Sequence, residues 1–443
     1  MQREGGPLPA KKSSFYGWKL LAAFWFIYLV NLGFPTYGQS VINAYMAKDL
    51  HMDRAMLGLA FSIYMLMVGL PGPAVAAIVN KIGVRLTLLI GSCAAMLGAI
   101  SMALFVHTGW QAVVSFGILI GFGSCAGGAI AEQQGIAQWF VRRRALALSL
   151  MYSGGGIGGF VLPPILNRVI ANSHGNWRNG WWIFLALAAI GAILIFFVVK
   201  EKPADMGQLP DGGDAAPLAA GQKRPKGVFV TTEAWTFKEA VFSRAFILML
   251  LSSVGISCGF SLIQGHGVVH LRDLGHSPAE AAMAMSILAI STLAGKLLAS
   301  FGDRIEPRYI WAIAMTAFGL GSILVAHASS SFDLYPFPIL LGFGWGATLV
   351  SMMGAPMNYF GLKAYPAVIG VWLLIQTGIG AVAPFVAGYL FDKVGSYNPA
   401  FYSIAALCFA GSLLLLFATP PRRKVREEAP AAHPAFGQSA ARA

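Results

Sequence analysis

Two ten-residue stretches decide the fold: Ala76-Ala-Ile-Val-Asn-Lys-Ile-Gly-Val-Arg85 and Ala299-Ser-Phe-Gly-Asp-Arg-Ile-Glu-Pro-Arg308. Each follows an apolar run and carries basic residues around a short turn, and they lie about 223 residues apart. Nearly the same offset relates Gly156-Ile-Gly-Gly159 to Gly378-Ile-Gly-Ala381 and, within a few residues, Trp139-Phe140 to Tyr359-Phe360. Three independent matches at one offset imply a duplicated unit. In membrane carriers built from such repeats, the solute site lies between the repeats near the midplane.

The sequence outside these stretches has the composition of a membrane protein. Hydrophobic residues make up 57% of the 443 and charged residues 11%, against roughly 25% charged in soluble domains. Apolar runs of about 20 residues recur from end to end, each long enough to cross a ~30 Å hydrocarbon core. They predict spans at 17–38, 55–79, 84–106, 110–138, 145–170 and 181–199, then at 244–270, 279–301, 309–328, 335–358, 364–389 and 400–419. The expected fold is an all-α membrane protein of twelve transmembrane helices in two pseudo-symmetric six-helix halves. A 1–16 N-terminal segment precedes the first half at 17–199. A polar linker at 200–243, with Pro203, Pro210, Gly212, Gly213, Pro217 and Pro225, leads to the second half at 244–420. The Ala- and Pro-rich tail at 421–443 reads as disordered.

The net charge of +13 would suggest a nucleic-acid partner in a soluble protein, but its distribution follows the positive-inside rule instead. By alternate connections, about 24 of the 31 Lys and Arg fall on one face, among them Lys11, Lys12, Arg142, Arg143, Arg144, Lys200, Lys223, Arg224, Arg244, Arg422, Arg423 and Lys424. Lys48, Arg54, Arg178, Arg272 and Lys393 belong to the sparse opposite face. This asymmetry puts both termini in the cytoplasm, and the compact loops suit a multi-pass protein of a bacterial inner (plasma) membrane. Cys93, Cys125, Cys258 and Cys408 all fall in apolar runs, so neither a disulfide nor a zinc site is expected. The run from Gly17 to Gly38 is longer than a signal-peptide core and reads as an uncleaved first span. No phosphate loop, H-E-x-x-H or nucleophile elbow is present. The reading is therefore no enzyme, no cofactor and no metal. Gly154, Gly156 and Gly159 spell G-x-G-x-x-G, but they lie inside a span with no preceding strand, so close helix packing is the better reading.

These residues resemble the major facilitator superfamily. The segment 299–308, with Asp303, Arg304 and Arg308, is similar to that superfamily's short cytoplasmic loop signature. Its first-half copy, with Lys81 and Arg85, has Asn80 in place of the usual acid. The resemblance implies a gating role for these five charged residues. Three further features are similar to the monocarboxylate porter and oxalate/formate antiporter branch: Tyr16-Gly-Trp18, Arg143-Arg144-Ala-Leu-Ala147 followed by Gly154 to Gly159, and Gly388-Tyr-Leu-Phe-Asp392. The resemblance spans residues 15 to 420 and implies secondary transport by alternating access.

Lys296 is the Lys or Arg lying well inside a span, seven residues or ~10 Å from Asp303. A cation at that depth costs ~2.5 kcal/mol or more unless it faces a cavity or a partner, and it suits a carboxylate. The family resemblance places a substrate-binding arginine in this region, here replaced by Lys, whose point charge orients a carboxylate less strictly than a guanidinium fork. Snorkelling to the cytoplasmic face is the competing reading.

Glu132, near mid-membrane on the fourth span, suits proton coupling, either free or paired with Lys296. His266, with Gln264 nearby, is a second titratable candidate. Trp345 resembles a site aromatic of the oxalate-carrying relatives. Gln376 and Thr377 stand where those relatives place a second cation, and one cation instead of two favours a monoanion. Asn31, Tyr37 and Tyr64 add hydrogen-bonding groups that either bind solute or join helices.

The expected function is symport of a small monocarboxylate with a proton by a chain functional as a monomer. The alternatives are a dicarboxylate antiporter, a sugar or drug carrier, a transporter-like sensor and a lipid-acting enzyme.

Overall fold

The computed structural model describes residues 15–140, 143–213, 228–233, 235–299, 305–330 and 332–421. Among them eleven helices are long and apolar enough to cross a membrane, and a bent pair supplies a twelfth. In chain order these are α1 (Gly17–Asp49), α2 (Arg54–Gly69 and Gly72–Ile82, bent by 43°), α3 (Val84–Leu104), α4 (Gly109–Trp139), α5 (Arg144–Asn172) and α6 (Arg178–Val198). The second half has α7 (Arg244–Asp273), α8 (Pro278–Ala299), α9 (Pro307–Ala326), α10 (Pro336–Gly361), α11 (Val368–Val394) and α12 (Asn398–Phe417). Asp303, Arg304 and the C-terminal tail from Arg422 lie outside the described residues.

The spans differ from the periodicity reading in three places. α1 continues to Asp49 rather than stopping at Gly38, because Leu29–Gly38 winds as a π-helix that carries Pro35 without ending the helix. α2 breaks at Leu70-Pro71, and α4 is interrupted at Gly127-Gly128, where Gly128 leaves helical geometry. The described residues of the linker include short 3₁₀ turns at Pro203–Met206 and Pro210–Gly213 and a capped turn at Phe237–Val241.

A helix interruption at membrane depth must satisfy its own backbone, since lipid offers no partner. At Gly127 the partner is Asn31, whose Nδ2 donates to the Gly127 carbonyl at 2.7 Å and to Ser92 Oγ at 3.0 Å. Ser124 Oγ donates to the Asn31 carbonyl at 2.6 Å. Asn31 thus ties α1 to α3 and α4. Close approach here requires glycine, because a Cβ on Gly91 would sit 2.0 Å from the Gly127 nitrogen.

The duplication seen in the sequence recurs in the bonds that hold each half. Arg85 Nη2 donates to the Phe196 carbonyl at 2.5 Å, joining α3 to α6, and Arg308 Nη1 reaches the Leu416 carbonyl at 3.5 Å, joining α9 to α12. Trp139 Nε1 donates to the Lys200 carbonyl at 3.1 Å, and Tyr359 hydroxyl to the Ala418 carbonyl at 3.2 Å. Equivalent positions therefore make equivalent bonds at the linker face.

The halves meet along α2–α11, α5–α8 and α1–α7. On α2–α11 the approach is set by glycines: a Cβ on Gly58 would lie 2.2 Å from the Pro384 carbonyl oxygen, and one on Gly388 2.2 Å from that of Arg54. Asp392 on α11 accepts the backbone N–H groups of Arg54 and Ala55 at 3.2 and 2.9 Å, so it caps α2 from the opposite half. Arg54 Nη2 in turn donates to both carboxylate oxygens of Asp273 on α7, at 2.8 and 2.9 Å. Phe385 N–H donates to Ser62 Oγ, and Asn43 Nδ2 to the Gly265 carbonyl. Among the described residues, these half-to-half hydrogen bonds lie toward the face opposite the linker. The molecule is closed at that far face.

Two outcomes follow from this packing. Asn31→Leu leaves the Gly127 carbonyl buried without a donor, a loss of about 1–3 kcal/mol, and should lower the melting temperature of the detergent-purified protein by several degrees. An unchanged melting temperature would show that the bond does not brace the α4 interruption. Gly388→Leu should leave the halves folded but unable to meet, read as raised thiol labelling of a cysteine placed at Ser62; labelling equal to that of the parent would contradict the tight closure.

Candidate functional site

The candidate site is built where α1, α7, α8 and α10 converge. Tyr37, in the π-helical turn of α1, turns its ring edge toward Phe260 of α7 at 6.5 Å. Phe260 stacks flat on Trp345 of α10, with centroids 3.9 Å apart and planes within 5°. Thr292 on α8, whose Oγ1 donates to the Leu288 carbonyl at 2.9 Å, neighbours Tyr37 across the halves. Tyr37, Phe260 and Trp345 form an aromatic wall spanning both halves. Gly159 of α5 permits it, since a Cβ there would sit 2.7 Å from the Ala289 methyl and 2.8 Å from the Tyr37 ring. The G-x-G-x-x-G run thus serves helix packing: Gly154 lies against the Trp25 carbonyl, and Gly156 faces Leu293 and Ala289 of α8.

Lys296 lies one turn beyond Thr292, on the last described turn of α8, and its residue is half-buried. Two ion pairs occur among the described residues, Arg54–Asp273 and Arg178–Asp49, and Lys296 is in neither. Glu132 is fully buried in the first turn after the α4 interruption, and neither carboxylate oxygen has a hydrogen-bond partner. The expected Glu132–Lys296 pair is therefore not made in this state. Tyr28 and Tyr152, whose rings meet edge to face at 5.3 Å, are electrostatic neighbours of Glu132. Gln133 donates to the Tyr152 hydroxyl.

The remaining candidates are more dispersed. Tyr64 is buried within the first half, stacked on Phe116 at 4.7 Å, with its hydroxyl 3.2 Å from Thr36 Oγ1. Asn31 braces the α4 interruption. Both are buried and join helices within the first half. Thr377 packs on Gly69 in the α2–α11 seam, while Gln376 is buried with its Nε2 unpartnered.

His266 is buried and bonded at both ring nitrogens, Nε2 to the Pro384 carbonyl and Nδ1 to the Tyr397 hydroxyl, each at 2.9 Å. It staples α7 to α11 and α12 and has no ring nitrogen free for solute. Of the gating candidates, Arg85 and Arg308 act within their own halves, Lys81 is an exposed residue in the last turn of α2, and Asp303 and Arg304 are outside the described residues.

The far face holds residues that sequence reasoning passed over. Arg54, Asp273 and Asp392 line a cavity of about 470 Å³ with Lys48, Arg272 and Asp53. Asp392 stood in the Gly388-to-Asp392 stretch, but nothing in its spacing disclosed that it caps a helix of the other half. Gln39 and Asn43 of α1 bond to each other, and Asn43 bonds to the carbonyl of Gly265, the neighbour of the buried Gln264 on α7. The signal was Gln39 and Asn43 one turn apart on an apolar helix.

With this geometry in hand, the comparisons with known proteins are specific. A family model, Major Facilitator Superfamily, matches residues 20–376 and again 267–442. Monocarboxylate transporter 12 of Rattus norvegicus is 26% identical over 394 residues, covering 83% of this chain and 78% of the relative. Monocarboxylate transporter 13 of Bos taurus is 26% identical over 361 residues, covering 78% and 76%. Among solved structures, the nucleoside transporter NupG superposes with a TM-score of 0.69 at 15% identity, covering 90% of this chain and 99% of that one. A bacterial homologue of the human lysosomal transporter Spinster, in an inward-facing and occupied conformation, gives 0.62 at 16%, covering 92% and 96%. At such identities the two structures speak for the fold alone. The paired halves, the twelve spans and the family match agree: this chain is a membrane carrier that belongs to the major facilitator superfamily and resembles its monocarboxylate porter branch.

Proposed function

We propose that the chain carries a small monocarboxylate together with a proton by alternating access. The observation that supports this reading best is Lys296, an intramembrane cation with no acidic partner among the described residues. A lone cation at that depth costs about 2.5–3.5 kcal/mol unless it is compensated. A solute carboxylate compensates it, and the aromatic wall of Tyr37, Phe260 and Trp345 then covers a short apolar body. The names of the relatives point to the same solute class.

Glu132 supplies the proton step in this account. Its buried carboxyl has no hydrogen-bond partner, an arrangement that favours the neutral acid when the site is closed to water. Protonation of Glu132 and binding of one carboxylate at Lys296 leave the loaded carrier with the net charge of the empty one plus zero. Reorientation of the loaded form then moves no net charge across the membrane. His266 has no role in this scheme, since both ring nitrogens are committed. The linker face is read as cytoplasmic and the membrane as the bacterial inner membrane, from the distribution of Lys and Arg. One copy contains every residue invoked, so the monomer is the working unit.

Reconstitution in liposomes tests this directly, with labelled lactate, pyruvate, formate, acetate, oxalate and a sugar, with and without an inward proton gradient. At least one monocarboxylate should accumulate several-fold faster with the gradient and be indifferent to a potassium-valinomycin potential. Lys296→Ala should cut that uptake by at least about tenfold, as loss of a buried charge partner does. Glu132→Gln, which mimics the neutral acid, should keep solute exchange and lose gradient-driven accumulation. Normal transport by Lys296→Ala would remove Lys296 from the site, and preferential uptake of the sugar would replace the carboxylate reading.

A further inference from the structure

The α1–α7 seam holds buried amide groups without hydrogen-bond partners. Gln264 is 0% exposed, and neither its Oε1 nor its Nε2 has a hydrogen-bond partner. It lies one turn from Phe260 on the same face of α7, the face that Phe260 turns toward Tyr37 and Trp345. Across the seam, Gln39 is also 0% exposed; its Nε2 donates to Asn43 Oδ1 at 2.5 Å, while its Oε1 has no partner. Asn43 Nδ2 continues to the carbonyl of Gly265, the neighbour of Gln264, at 3.1 Å. Gln39 is thus oriented by a bonded chain that reaches the α7 backbone at Gly265, and the next residue, Gln264, has a donor and an acceptor unused. Buried amides in native proteins are nearly always paired, so a group left open on both atoms marks a place where something else binds.

The position along the membrane says what that something is. Tyr37 packs by Gly159 at the level of Ala289, and Ala289 precedes Lys296 by seven residues, or ~10 Å of helix. A lysine side chain on α8 leans back toward the helix N-terminus, that is, toward Ala289. Gln264 thus lies one turn from Phe260 toward the far face, and Lys296 one turn from Thr292 toward the linker face, because α7 and α8 run in opposite directions.

We infer that Gln264, with Gln39, forms a second subsite that takes a neutral hydrogen-bonding group, a hydroxyl or primary amide, at the end of the solute distal to its carboxylate. This rests on the carboxylate reading of Lys296 and sharpens it: the solute is a monocarboxylate with a polar tail rather than a plain short alkanoate. One group that both donates and accepts satisfies both free atoms of Gln264. An alkyl tail leaves them unpaired, which is the condition under which sites built to hydrogen-bond discriminate most strongly.

The full chain in liposomes, under an inward proton gradient, is presented with butanoate, 4-hydroxybutanoate and 4-amino-4-oxobutanoate. The wild type should take one or both polar-tailed acids with a KM at least about tenfold below that for butanoate. Gln264→Met, similar in volume and unable to hydrogen-bond, should erase that difference by raising the KM for the polar-tailed acids and lowering that for butanoate, whose alkyl tail then leaves no amide unpaired. If butanoate moves and the wild type does not favour a polar tail, the amides hold only water, and the subsite is overturned with the carboxylate reading intact. If the preference survives in Gln264→Met, the tail is read elsewhere and the assignment to Gln264 is overturned. If none of the three acids moves, the carboxylate reading fails and takes the subsite with it. Should Gln264→Met not fold, the wild-type preference and its loss in Gln264→Glu, which retains the acceptor but not the amide donor, decide the same question.

Discussion

Asp392 accepts two backbone N–H groups from the first turn of α2, a helix belonging to the other half of the molecule. A helix start must find acceptors for its free N–H groups, and Asp53 supplies only part of the need, accepting from Met56 N–H at 2.7 Å. The remainder comes from across the seam, so the far end of α2 is complete only when the halves are together. Arg54 then extends from that first turn to Asp273, and the glycines at 58 and 388 let α2 and α11 approach to backbone contact. The conformation depends on this seal. The aromatic wall, the half-buried lysine and the buried amides all lie on its linker side or beneath it.

A seal of this kind can be broken and remade. The far-face bonds of Arg54 are exposed enough to exchange for water, since Arg54 and Asp273 keep 21% and 34% of their side-chain surface exposed. An exposed pair of this type contributes about 0–1 kcal/mol. The interactions that hold each half together are different in kind: Asn31 on Gly127, Tyr64 on Phe116, and the linker-face bonds of Arg85, Trp139, Arg308 and Tyr359 are buried or repeated in both halves. Exposed ion pairing between halves, with buried bonds such as Asn31 on Gly127 inside them, suits a rocking mechanism. Solute then need contribute only a modest differential affinity to move the equilibrium.

The fold was legible because hydrophobic length and internal duplication survive in a single sequence. The offset between residues 76–85 and 299–308 disclosed two halves before any helix was placed, and it reappears as Arg85 and Arg308 bonding equivalent helix ends. The interruption of α4 was not legible, because Gly127-Gly128 resembles the many other glycines of the chain. It takes Asn31, 96 residues away, to make a break there tolerable. Of the site, Lys296, Trp345 and Tyr37 were visible as polar or aromatic residues inside apolar runs, and the structure groups Tyr37 and Trp345 through Phe260. Asn31, Tyr64 and His266 gave the same sequence signal for a different reason, as hydrogen-bonding residues that join helices. Polarity inside a span marks a need for a partner; the sequence alone does not say whether that partner is protein or solute. Gln264 differs from His266 only in that its partners are missing, which no one-dimensional pattern records.

The central claim is that the two halves rock as units about a midplane site, opening one face as the other closes. Spin labels on α2 and α11 at the far face, with a second pair on α4 and α10 at the linker face, report both gates by double electron–electron resonance in nanodiscs. The account predicts a short far-face and long linker-face distance in the resting protein. Addition of a transported carboxylate at low pH should populate a second state in which the far-face distance lengthens and the linker-face distance shortens together. Distances that stay fixed at both faces while solute is being transported, or that change at one face without the other, would contradict it.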